Sequence, residues 1–90
     1  MLFFHSKHPH NRVTIAGEFM GNTLCLAAAR CGGKDNFCRK TGRIVASGRF
    51  TKGKTLCNIP VEEANYKFFV EQAAILAEAV HLNPHFKEVV

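Results

Sequence analysis

Residues 12–31, RVTIAGEFMGNTLCLAAARC, decide the fold. Val13, Ile15 and Phe19 alternate with Thr14 and Glu18, the period-two pattern of a strand with one face turned to a core. Gly21-Asn22 stands where a two-residue hairpin would turn, since Gly reaches positive φ without steric cost. The return segment, Thr23 to Cys31, reads two ways. Its Leu and Ala content favours a helix capped by Asn22 and stopped by Gly32-Gly33. The strand reading is preferred, because the first strand needs an antiparallel partner and the turn signal supplies one. Upstream, the Phe-rich residues 1–5 read as a short strand, followed by a polar connection, SKHPHN, around Pro9.

Downstream, Asp35 reads as the N-cap of a helix running to about Phe50. Phe37, Thr41, Ile44, Val45 and Gly48 then share one face, and Arg39, Lys40 and Arg43 project from the other. Gly42 and Gly48 each cost about 1 kcal/mol relative to Ala inside a helix, which predicts close packing against another element. The alternative is a hairpin turning at Thr41-Gly42, with residues 43–47 as a strand. Lys52-Gly53-Lys54 reads as a turn and residues 55–59 as a short strand. Pro60 fits a first helical position, with Glu62 and Glu63 in the first turn where the helix dipole favours anions. That helix is expected to run to about His81, before Asn83-Pro84. Val61, Ala64, Phe68, Ile75, Leu76 and Ala79 form its expected core stripe, while Tyr66, Val70, Ala74 and Ala77 make the other side apolar too. A helix apolar on two sides is buried on two sides, which points to a homodimer or another partner. The alternative is that residues 1–5 and 85–90 fold over it. The expectation is a single α+β domain, residues 1–90: a small antiparallel sheet of three to four strands, one short basic helix and one longer C-terminal helix.

Composition bounds the function. The 90 residues are 47% hydrophobic and 21% charged, a folded domain's profile and too short for a separate cofactor domain. No apolar run approaches the roughly 20 residues of a membrane span, and Met1–Phe4 is too short for a signal-peptide core. A cytoplasmic protein is expected. The net charge of +5 conceals a polarity. Residues 30–54 carry Arg30, Lys34, Arg39, Lys40, Arg43, Arg49, Lys52 and Lys54 against Asp35 alone, whereas residues 55–90 are net acidic. A concentrated basic segment attracts phosphate backbones or an acidic protein patch. Alternatively, the two segments neutralise each other within the fold or across a dimer.

Gly48-Arg-Phe-Thr-Lys-Gly53-Lys54-Thr55 fits the spacing of a P-loop. A P-loop leaves a strand and opens into a helix, however, and here Pro60 follows too soon for that helix. Cys25, Cys31, Cys38 and Cys57 are too widely spaced for a zinc pair, and no redox C-x-x-C occurs. Reduced, partly packed thiols are expected, with no metal or other cofactor. The only serines are Ser6 and Ser47, and no Cys–His or Ser–His spacing recommends a nucleophile. A non-enzymatic protein is expected.

The basic segment remains. Arg39 and Arg43 lie one helical turn apart with Lys40 beside them, a spacing that clamps successive phosphates. Arg49, Lys52 and Lys54 extend the positive surface into the turn. Phe50, on the basic side of the wheel, is the aromatic placed to stack on a base, whereas Phe37 falls on the expected core face. No complete DNA- or RNA-reading motif is present, so the expected binding is independent of sequence.

Within Lys34–Phe50, KDNFCRKTGRIVASGRF, the residues Lys34, Asp35, Phe37, Arg39, Lys40, Gly42, Arg43, Ala46, Gly48 and Arg49 form a spaced pattern. In it the chain resembles small uncharacterised proteins of tailed bacteriophages and prophages. The resemblance implies an origin in a bacterial host cell, and its spaced Gly and Ala suit a helix packed tightly on a sheet. Small phage proteins commonly handle DNA or block host nucleases and defence complexes. By that analogy the expected partner is nucleic acid or an acidic host protein.

Overall fold

The computed structural model describes residues 1–8, 12–30, 39–83 and 86, with only the backbone of Arg39. In chain order the elements are β1 (Leu2–His5), β2 (Val13–Met20), β3 (Thr23–Arg30), α1 (Arg39–Thr51), β4 (Cys57–Pro60) and α2 (Tyr66–Leu82). The four strands form one antiparallel sheet in sequence order, β1-β2-β3-β4. The fold is α+β, as the alternation and the turn signal predict. Gly21-Asn22 closes the β2–β3 hairpin, Met20 pairs with Thr23, and Gly21 takes φ +61°. The helical reading loses over Thr23–Arg30, because a full-length ladder to β2 takes up the backbone groups on one side of the strand and β4 pairs with Thr23–Leu26 on the other. The expected caps of the first helix, Asp35 and the residues around it, lie outside the described residues.

Strand alternation divides the sheet's two faces between the helices. On one face Val13, Ile15, Leu24, Leu26 and Ala28 meet Phe69, Ala73, Ala77 and Val80 of α2. Gly17 makes room for the Phe69 ring: a Cβ there would lie 2.4 Å from Phe69 Cε1. On the other face Ala16 and Ala29 meet Ala46 of α1, with Phe3 and Val45 beside them.

α2 departs from expectation at its start and in its orientation. Pro60 ends β4, and the Val61 N–H donates to the Asn22 carbonyl at 2.8 Å, so the chain is still paired with the hairpin there. The helix begins six residues later, capped by Asn65, whose side chain accepts from the N–H groups of Lys67 and Phe68. Glu62 and Glu63 therefore precede the first turn. The buried stripe is Phe69, Ala73, Ala77 and Val80. Phe68, Leu76 and Val61 pack partly against it, while Ala64, Ile75 and Ala79 are exposed. The helix ends at Leu82, before Asn83, as the sequence predicts. No helix among the described residues is long and apolar enough to cross a membrane.

Buried Arg30, at the end of β3, ties this end of α2 to the sheet. Its guanidinium donates to the carbonyls of Val80, Asn83 and Phe86. Val80 lies in the last turn of α2, Asn83 is its C-cap and Phe86 follows the helix. The guanidinium thus adds a second donor at the Val80 and Asn83 carbonyls, and its charge complements the helix dipole there.

Candidate nucleic-acid interface

The sheet beneath α1 presents small residues, and that choice sets which side of the helix faces out. α1 seats its own smallest positions. Gly42 and Ala46 are buried, and a Cβ on Gly42 would meet Thr14 Oγ1 at 2.3 Å. Gly48, by contrast, has nothing within 4 Å of its added Cβ. Only one of the two helical glycines marks close packing. The expected core face is corrected accordingly: Thr41 and Ile44 are exposed, Ile44 at 60%. An alanine-rich surface accommodates a close backbone, and the helix turns its small residues, not Ile44, toward it. Phe37 lies outside the described residues.

Lys40 and Arg43 stand on the outward side of α1, and Lys52 and Lys54 are exposed in the turn after it. Of Arg39 the backbone opens the helix. Residues 39–60 contain no carboxylate at all. The acidic residues Glu62, Glu63, Glu71 and Glu78 are exposed before or on α2, across the sheet. Among the described residues the ion pairs are Met1 with Glu18 and His8 with Glu78, so none joins the two helices. Glu18 stands on the α1 side of the sheet, where it lines a cleft with Phe50 and Thr51 and pairs with the Met1 amino group. The described glutamates before and on α2 make no ion pair with α1.

Arg49 and Phe50 sit differently. Arg49 points inward and donates to the Ala28 carbonyl at 2.7 Å, on the stretch of β3 beyond the end of β4. Its guanidinium also lies over the Phe86 ring, 5.5 Å from the centroid, with Arg30 at 5.7 Å from the same ring. Burial lowers the Arg49 pKa from the ordinary arginine value. Arg49 and Lys54 line a cleft of about 260 Å³ with Leu56 and Phe86. Phe50 is half-buried and lines another cleft, about 420 Å³, with Glu18, Met20 and Cys25. The sequence groups seven residues into one site; the structure brings Lys40, Arg43, Lys52 and Lys54 to the surface and ties Arg49 to the sheet. Arg30, counted in the basic segment by sequence, is internal, and its position at the end of an apolar strand is the one local sign of that.

The P-loop spacing at Gly48–Thr55 has another origin. Gly53, at φ +74°, follows the helix in the left-handed region. The Lys54 N–H donates to the Arg49 carbonyl and the Gly53 N–H to the Phe50 carbonyl, the bond pair of a Schellman motif. The order is helix, turn, strand, the reverse of a phosphate-binding loop.

Cys25 and Cys57 are free thiols. Cys31 and Cys38 lie outside the described residues. No group of three or more His, Cys, Asp or Glu side chains that could hold a metal occurs among the described residues. His8 stacks on His81 with ring centroids 3.6 Å apart, and its Nε2 lies 2.7 Å from Glu78 Oε2. These contacts join the segment after β1 to the outer side of α2. Comparison with protein-family models, with curated proteins and with solved structures returns no match.

Proposed function

We propose that the chain is a small non-enzymatic protein of phage or prophage origin that binds nucleic acid through the outer side of α1 and the turn after it. The observation that supports this reading is the run of exposed cations, Lys40, Arg43, Lys52 and Lys54, on a stretch without a single carboxylate. Lys40 and Arg43 are one helical turn apart and reach successive phosphates, while Lys52 and Lys54 extend the track beyond the helix. Arg49 holds the helix to the sheet and so supports the surface from beneath. Binding of this kind is electrostatic and indifferent to sequence. It falls steeply with salt as counterions are released. The protein acts as a homodimer, which doubles the basic surface.

The test is a titration of duplex and single-stranded oligonucleotides at several salt concentrations. Changing Lys40 and Arg43 together to Ala is expected to lower the duplex salt slope by about 2 while leaving the fold intact. Absent or salt-independent binding by the unmodified protein at low salt rejects the reading. Exposed Ile44, next to Arg43 and one turn from Lys40, favours a second one: docking on an acidic host protein with an apolar patch. In that case Ile44→Ala abolishes capture of the partner from nuclease-treated bacterial lysate and spares oligonucleotide binding.

A further inference from the structure

The two edges of the sheet are built differently. The β2–β1 register and the Ser6 N–H bond to the Val13 carbonyl fix which β1 backbone groups face inward: those of Leu2 and Phe4. The N–H and C=O of Phe3 therefore face away from the sheet, and β1 pairs with β2 alone among the described strands. On β4 the Val61 N–H bond to Asn22 and the pairing of Ile59 with Leu24 turn Asn58 and Pro60 outward. Pro60 has no N–H to offer, which blunts that edge against a further strand. β1, whose four residues read LFFH, holds no proline, and among the described residues no strand lies beyond it.

Both cores also run out at β1. Leu2 and Phe4 belong to the α2-side cluster and Phe3 to the α1-side cluster, and all three are left half-buried. A strand apolar on both faces would extend both clusters. β1 is itself such a strand.

We propose that the protein dimerises by antiparallel pairing of β1 with β1 of a second copy, about a two-fold axis at Phe3. Each Phe3 exchanges its outward N–H and C=O with the other, the two Phe3 rings form a cross-strand pair on the α1 side, and each Leu2 meets the other copy's Phe4 on the α2 side. The product is one eight-stranded sheet with both α1 helices on one face and both α2 helices on the other. Because α1 packs over β2 and β3, the two basic helices would stand roughly 19 Å apart, counting about 4.8 Å per strand. Where this bears on nucleic acid it rests on the reading above: dimerisation sets two short basic tracks side by side on one face of the joint sheet.

The pairing is tested without nucleic acid, by sedimentation equilibrium and amide exchange at increasing protein concentration. The expected result is a dimeric mass at tens of micromolar, with protection of the Phe3 amide rising as the dimer forms. Phe3→Pro removes the outward donor and leaves the ladder to β2, so it is expected to give a monomer with an unchanged circular dichroism spectrum. A monomeric unmodified protein overturns the proposal, as does a dimer whose Phe3 amide exchanges freely. If Phe3→Pro does not fold, the exchange of the unmodified protein decides by itself. Oligonucleotide titration then separates the two claims. A β1 dimer that binds no nucleic acid upholds the pairing and rejects the reading of Lys40 and Arg43. A monomer that binds does the reverse.

Discussion

On the α2 face of the sheet, Val13, Ile15, Leu24 and Leu26 enclose Phe69, whereas on the α1 face Thr14 and Ala16 lie against Gly42 and Ala46. The first face gains from area, since each large side chain taken out of water contributes about 1.5–3 kcal/mol. The second gains from closeness: small residues bring the helix backbone down onto the strands, and there is little apolar area to bury. A helix held this way does not need an apolar stripe wide enough to consume its outward positions. Lys40 and Arg43 are accordingly left to solvent, and Arg49 anchors the helix by a hydrogen bond to Ala28.

Substitutions can break this comparison. The largest effect is expected at Phe69→Ala, a loss of about 4 kcal/mol in urea denaturation, because the cavity sits among rigid strand residues. If Ala46→Gly on the other face costs as much, the two cores are not different in kind; about 1 kcal/mol is expected there. Next comes the same change at two positions of one helix. Gly42→Ala should destabilise by about 1–2 kcal/mol, the overpacking against Thr14 exceeding the gain in helix propensity. Gly48→Ala should stabilise by up to about 1 kcal/mol, since its Cβ meets nothing. Thermal melts of the pair that shift in the same direction would refute the close approach. The smallest effect is expected at Glu78→Gln on the outer side of α2. Its pairing with His8 is exposed to solvent, so stability should move by no more than about 0.5 kcal/mol.

Local signals sufficed where neighbours in sequence are neighbours in space. The alternation of Val13, Ile15 and Phe19 and the Gly21-Asn22 turn specify the central hairpin, and the outward position of Lys40 and Arg43 follows from helical spacing. Arg49 was illegible for the opposite reason. Its place depends on the Ala28 carbonyl beyond the end of β4 and on Phe86, from far along the chain. Phe50 likewise looked outward on a wheel, yet it is half-buried in a cleft shared with β2 and β3.

The hairpin, two helices of unequal length and a basic middle set against an acidic C-terminal third are all legible in the residue order. Side-chain period and turn chemistry are local, and charge is a matter of composition. Where α2 begins and which side it turns down depend instead on contacts distant in sequence. Pro60 followed by two glutamates is a sound helix start in isolation, but β3 offered residues 57–60 a ladder, and Asn65 supplied a cap further on. With apolar residues around much of α2, periodicity left several orientations open. The choice fell to Phe69, because the sheet has a place for its ring at Gly17.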